Sequence, residues 1–208
     1  MIVKANPFTT RWTRPGQIAP VDAEGQLIDL VGLLNRLAAL GGRAVIAGPH
    51  GSGKSTLLFR LCAEAEARGR PTVICRLGRG PWRDAATAVA TVLGAAASSL
   101  VCLDSWERLG RLARWATLLA ARWRACGLLV TSHGLAGLPV LVKHEPTVAT
   151  LGAIVRQLPE AERWLGAAIT DADLLEVFAR QGPNLREALF QLYDRFEERQ
   201  HEPQTVRS

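Results

Sequence analysis

The sequence has almost no lysine. Of its 25 basic residues only Lys4, Lys54 and Lys143 are lysines, and the rest are arginine. A coding bias toward arginine and an anionic partner account for this equally well. The formal net charge of +6 admits nucleic acid as a partner. Cysteine pairs at metal-binding spacing are also lacking. Cys62, Cys75, Cys102 and Cys126 show no CxxC pattern and sit in apolar contexts, which favours reduced core thiols over a zinc site or a disulfide framework. The opening residues MIVKANPFTTRW contain no apolar run after the lysine, so no export signal is read there and a cytoplasmic location is expected. Residues 85–103 carry no charge, which meets the length rule for a membrane span. They are mostly Ala, Thr, Ser and Gly, broken by Gly94 and Ser98-Ser99, and read instead as helix, turn and buried strand, so no membrane partner is expected. Internal repeats are absent, and 48% hydrophobic residues exclude a disordered chain.

A chain of 208 residues fits one globular unit, or a core with a small appended subdomain. Residues 1–25, broken by Pro7, Pro15 and Pro20, read as an extended arm. A core is expected over 26–145. It opens with a helix at 26–40 that Gly41-Gly42 stops, followed by strands at 43–48, 71–77, 100–104, 127–131 and 138–142. Helices are expected between them at 54–68, 82–93 and 105–125. The last of these aligns Trp106, Leu109, Leu112, Ala116, Leu119 and Trp123 on one side. Alternating strands and helices, with continuous apolar strands, predict an α/β fold with a parallel sheet covered on both faces. Residues 146–200 carry three helical patterns, at 148–157, 171–181 and 184–199, and no strand; 201–208 read as a flexible tail.

The stretch GPHGSGKST comprises Gly48, Pro49, His50, Gly51, Ser52, Gly53, Lys54, Ser55 and Thr56. It follows a strand, precedes a helix, and matches G-x-x-x-x-G-K-[ST]. Glycines let backbone N–H groups turn inward around phosphate oxygens, and the following helix adds its free donors and its dipole. Lys54 would bring a full charge to the β and γ phosphates, and the Ser55 hydroxyl would ligate Mg²⁺. A chain that so rarely uses lysine places one here.

Such a loop needs a second anchor for its metal. LVCLD supplies Asp104 at the end of a buried strand, as a magnesium holder acting through water. Its other possible role is to cap the helix that begins at Ser105. Two roles are open to Glu107: a base that orients attacking water, or an i,i+4 ion pair with Arg111 worth about 0.2–0.5 kcal/mol. Thr131 and Ser132 end the fourth strand, where a polar tip is suited to the γ-phosphate or its water, and His133 beside them is a candidate charge sensor. In GPNLREALFQLYD, Gly182 or Asn184 starts a helix and Arg186 falls in its first turn, against the helix dipole; a bound phosphate or a nearby carboxylate would compensate.

These residues resemble the P-loop ATPases of the AAA+ and STAND group. GPHGSGKS resembles their Walker A, LVCLD their Walker B, GLLVTS their sensor-1 strand and NLREALFQLYD their sensor-2 helix, over roughly residues 26–198. More narrowly, the chain resembles small P-loop proteins with an Asn-Pro-Phe opening and an Asp-x-x-Glu Walker B. The resemblance implies a three-layer sandwich with strand order 5-1-4-3-2, a C-terminal helical lid, ATP with Mg²⁺ between core and lid, and Arg186 at the γ-phosphate. Adenine is also favoured because no N/T-K-x-D guanine-reading motif occurs. Three positions depart from the pattern: Ser105 where many such ATPases have Glu, Pro183 where the lid motif has Gly, and His133 where many STAND proteins have Arg. The link SHGLAGLP is too short for the helix that carries an arginine finger, which disfavours ring assembly and leaves a monomer or a nucleotide-dependent oligomer. The expected function is ATP binding with slow Mg-dependent hydrolysis, coupling nucleotide state to a protein partner the sequence does not identify. The alternatives are a DNA-associated ATPase, a kinase on the same loop, and a scaffold without turnover.

Overall fold

The computed structural model describes residues 6–9, 17–134 and 136–201. The chain forms two compact units. One comprises residues 29–49 and 54–144; the other comprises the described residues within 1–28, 50–53 and 145–208.

The first unit is an α/β fold. Five parallel strands, β1 (Arg43–Ala47), β2 (Thr72–Arg76), β3 (Leu100–Asp104), β4 (Gly127–Ser132) and β5 (Val140–Lys143), line up in the order β2-β3-β4-β1-β5. This is the order expected from the resemblance, read from the opposite edge. The central β3 and β4 are buried at every residue, as continuous apolar strands must be when both faces are covered. β2 differs from the expectation of a buried strand: it lies at the sheet edge, with Val73 and Ile74 exposed.

Helices α1 (Leu30–Ala39) and α2 (Lys54–Ala67) pack against each other, as do α3 (Pro81–Gly94) and α4 (Arg111–Trp123). Helix α1 starts four residues later than periodicity suggests, because Asp29 caps it by accepting from the Gly32 N–H at 2.9 Å. Helix α3 opens on Pro81, which needs no hydrogen bond from its nitrogen at a helix start. Val101, Leu103, Leu128 and Val130 from the sheet pack with Ala88, Val92, Trp106, Ala120 and Ala121 in one core cluster.

The helix expected over 105–125 is two elements. Trp106–Arg108 form a single 3-10 turn, and α4 begins only after Gly110, its N-cap. The apolar stripe read on one side of that helix therefore divides. Trp106 and Leu109 are buried, whereas Leu112, Leu119 and Trp123 are exposed.

The second unit is helical: α5 (Val148–Arg156), the short α6 (Ala161–Trp164), α7 (Asp171–Gln181) and α8 (Leu185–His201). Helices α5 and α7 each begin with a capping box, built on Thr147 with Thr150 and on Thr170 with Asp173. Asp173 also pairs with Arg195 at 2.8 Å and Arg199 at 2.7 Å, which tie the start of α7 to α8. The core of this unit holds three mutually tilted rings, Phe8, Trp164 and Phe196, with centroids 5.2–6.1 Å apart. Phe8 belongs to the segment read as an arm. Asn6 fixes it there by donating to Tyr193 O at 3.1 Å and Glu197 Oε1 at 2.8 Å, while its own Oδ1 accepts from the Phe8 N–H at 3.0 Å.

Candidate functional site

The site is built at the C-terminal ends of the strands. β1 delivers the chain into the loop from Gly48 to Gly53, and α2 begins at Lys54. Gly51 and Gly53 have φ of 71° and 97°, conformations that an L side chain rarely adopts, which explains glycine at both places. Two polar groups are committed inward. Ser52 Oγ is buried without a hydrogen-bond partner. The Lys54 ammonium is buried and donates to Pro49 O at 2.5 Å. Burial pushes its pKa below the ordinary lysine value, while the negative charges of Glu107 and Asp104 act in the opposite direction. An unpartnered buried hydroxyl and a desolvated ammonium fit an anionic ligand that supplies acceptors to both.

Asp104 closes β3 and is the hub of the site. Its carboxylate accepts from Ser55 Oγ at 2.9 and 3.0 Å, from Thr131 Oγ1 at 2.7 Å, and from Arg76 Nε at 3.2 Å. Each partner comes from a different element: α2, β4 and β2. The parallel register explains Arg76, which stands directly opposite Asp104 across β2 and β3. The sequence alone does not mark Arg76 as part of the site. Its placement depends on strand pairing, and its only sequence signal was a charge at the end of an otherwise apolar strand. Asp104 does not take the alternative role of helix cap, since the turn after it has no side-chain cap and its oxygens are occupied by the other three residues.

Ser105 is left-handed, with φ 76° and ψ 49°, and its N–H donates to Thr131 Oγ1 at 2.9 Å. A non-glycine residue held this way costs of order 1–3 kcal/mol, which the surrounding bonds must offset. The turn directs the chain into the 3-10 segment that carries Glu107. Glu107 does not pair with Arg111. The helix that would have set that i,i+4 spacing is interrupted at Gly110, and Glu107 instead lies 3.1 Å from His133 Nε2 through its Oε1. The second oxygen, Oε2, is buried without a partner, and Arg114 holds the Glu107 backbone carbonyl at 3.2 Å.

The structure thus gathers Lys54, Ser55, Asp104, Thr131, Glu107 and His133 around the strand ends. Of the two polar tips of β4, Thr131 is the one bonded to Asp104. Ser132, also buried, accepts from the Gly134 N–H at 3.4 Å. Arg186 is the second residue of α8 in the helical unit and is exposed; Asn184 precedes the helix and accepts from the Glu187 N–H at 3.4 Å. A hydroxyl beside one carboxylate suits magnesium, which binds few protein groups and keeps waters and phosphate oxygens for the rest. Among the described residues no group of three or more His, Cys, Asp or Glu is placed to hold a metal by itself. The four cysteines are free; a hydrogen bond with the neighbouring Cys62, and then burial, raise the Cys102 thiol well above its ordinary pKa, which leaves it protonated and unreactive.

No protein-family model matches the sequence, and no curated protein matches it. A solved structure shares its fold. The replication initiator DnaA, bound to AMPPCP and single-stranded DNA, superposes with a TM-score of 0.55 at 15% identity over 78% of this chain. The match spans 57% of the length of that DnaA chain. The structure of C. elegans PCH-2 aligns over 95% of this chain and 74% of its own, at 12% identity and a TM-score of 0.43, too loose to define a common fold. The likeness to DnaA is one of fold alone, that of a parallel sheet flanked by helices. No helix among the described residues is long and apolar enough to cross a membrane.

Proposed function

We propose that this protein binds ATP with Mg²⁺ at the Gly48–Thr56 loop, hydrolyses it slowly, and uses the bound nucleotide as a switch. The observation that carries the reading is the convergence of Ser55 Oγ on the Asp104 carboxylate, 2.9 and 3.0 Å apart, beside a buried Lys54 and an unpartnered Ser52 hydroxyl. In this reading Gly48, Pro49, His50, Gly51, Ser52, Gly53 and Thr56 cradle the phosphates through the loop and the start of α2. Lys54 exchanges the Pro49 carbonyl for phosphate oxygens, a stronger, charge-assisted partner. Ser55 and Asp104 would hold a magnesium ion, which when bound would neutralise charge on the phosphates.

Glu107 is the candidate base. Its Oε1 is steadied by His133, while Oε2 has no partner and is available to accept a proton from water. Placing the carboxylate three residues beyond Asp104, on a 3-10 turn, is consistent with slow turnover. Ser132 and Arg186 are assigned to the γ-phosphate, the latter as the arginine of a helical lid. Affinity gained only with the γ-phosphate would provide the difference between states that a switch requires.

Phosphate release with Mg-ATP, measured beside nucleotide binding for wild type, Lys54→Ala and Glu107→Gln, tests this. The reading expects Lys54→Ala to lose binding and Glu107→Gln to bind but not turn over. Tight binding with no turnover in wild type would leave a switch without hydrolysis. A DNA-associated ATPase is the second reading. The exposed Arg108, Arg111 and Arg122 favour it, and the DnaA neighbour carries single-stranded DNA. It requires DNA binding that weakens steeply with salt, and turnover that rises when DNA is added.

A further inference from the structure

The outer face of α3 and α4 is apolar where solvent should meet polar groups. On α4, Leu112, Trp115, Leu119 and Trp123 are 84%, 65%, 51% and 76% exposed. Their spacing of three, four and four residues places them on one stripe, about 16 Å long at 1.5 Å per residue. The helix is already seated on the core through Thr117, Ala120 and Ala121, so this stripe is a second apolar face, pointing away from the sheet. On the neighbouring α3, Trp82 is 89% exposed, and Ala86, Ala90 and Leu93 continue its line at helical spacing with exposed positions. Scattered apolar residues on a surface are ordinary; three tryptophans and three leucines on two packed helices are not.

Charge on this face has one sign. Arg83, Arg108, Arg111 and Arg122 are exposed. From residue 81 to residue 124 the only acidic residues are Asp84, Asp104 and Glu107. Asp84 is buried, accepting from the Gly78 and Arg79 N–H groups at 2.9 and 2.8 Å; Asp104 is the hub described above; Glu107 is turned to His133. Asp84 lies close enough to Arg108 to interact with its charge, but among the described residues no ion pair joins Arg83, Arg111 or Arg122 to a carboxylate.

We propose that the α3–α4 face is a docking surface for an acidic amphipathic helix of a partner protein. The large side chains of α4 supply the buried aromatic and leucine anchors, and the small Ala86 and Ala90 on α3 let a helix backbone approach closely. Arginines at the rim select glutamate or aspartate flanks. Charge argues against a second copy on the same face, because self-pairing would set arginines against arginines. Base stacking would use the tryptophans but gain nothing from Leu112, Leu119 or the alanines between them.

The test is selection from a displayed library of amphipathic helices. Each carries leucines on one face, and its flanking positions are either Glu or Lys. The 208-residue chain is the bait. The expected result is enrichment of Glu-flanked helices that bind at least tenfold more weakly to Trp115→Ser/Leu119→Ser, whose substitutions are on the surface and should leave the thermal unfolding midpoint unchanged. Arg111→Glu/Arg122→Glu should reverse the preference toward Lys flanks. Enrichment without a charge bias, or equal binding to the serine variant, overturns the proposal. A single-stranded oligonucleotide and phosphatidylglycerol vesicles complete the comparison. If either binds in a manner that depends on Trp115 and Leu119 while the Glu-flanked helices do not, the face belongs to that ligand instead.

Discussion

Thr131 Oγ1 donates to Asp104 Oδ1 at 2.7 Å and, with its remaining capacity, accepts from the Ser105 N–H at 2.9 Å. One hydroxyl thereby fixes the carboxylate at the tip of β3 and the left-handed residue that follows it. Thr131→Val keeps the shape and removes both bonds. It should cost about 1–3 kcal/mol, since a buried acceptor and a buried donor lose their partner. Thr131→Ser should retain most of that stability. Chemical unfolding of the three proteins checks this, and equal midpoints for wild type and Thr131→Val would show that the hydroxyl carries no such burden.

Arg76 and Asp104 face each other across β2 and β3 at 3.2 Å, with Arg76 largely exposed. The pair contributes little to folding, about 0–1 kcal/mol for so exposed a partner. Its effect should appear in binding: Arg76→Ala leaves a negative carboxylate with one cation fewer nearby. Magnesium affinity in the presence of nucleotide should rise or hold, while nucleotide affinity without metal should fall. Calorimetric titration with and without Mg²⁺ separates the two.

His133 stands 3.1 Å from Glu107. If it positions the carboxylate, His133→Ala should lower kcat several-fold and leave KM for Mg-ATP near its wild-type value, because no contact with the nucleotide is removed. His133→Gln, which can still donate to Glu107, should recover part of the loss. An equal fall in nucleotide affinity would assign His133 to binding.

Asp173 is held well below the usual carboxylate range, first by hydrogen bonds from Arg199 and then by those from Thr170, against a cost of burial. A depressed folded-state value adds stability above the unfolded value of about 4 and loses it as pH falls from there toward the folded value. The helical unit should therefore weaken below about pH 4. Asp173→Asn should cost roughly 1.5–3 kcal/mol at neutral pH, the range for a charged hydrogen bond, and flatten that acid dependence. Thermal melts between pH 3 and 7 provide the comparison.

Much of this arrangement can be read from the residues. The strands β1, β3 and β4 announce themselves as apolar runs bounded by glycine or by a terminal polar residue, and the Gly48–Thr56 loop fixes where the first of them ends. Asp104 was legible because it closes such a run. Arg76 was not, since register is a property of two strands and each strand alone carries no trace of it. The break after Trp106–Arg108 escaped for a different reason. Leu109 and Leu112 keep a helical spacing across Gly110, so side-chain periodicity continued where the backbone did not. Periodicity also shows that α4 has an apolar side without showing what lies against it. Two such sides exist, and only packing reveals that one of them faces water.

The bond from Asn6 to Tyr193 joins positions 187 residues apart. A ribosome releases the first of these long before the second. The α/β unit, which ends at His144, has all its strands available while α8 is still untranslated. The helical unit must wait, because Phe8 cannot find Phe196 until the chain has emerged past residue 196. During that interval the Asn-Pro-Phe segment and the apolar sides of α5 and α7 lack their final partners. Synthesis thus makes the strands around the Gly48–Thr56 loop available first and the partners Phe8 and Phe196 available together only later.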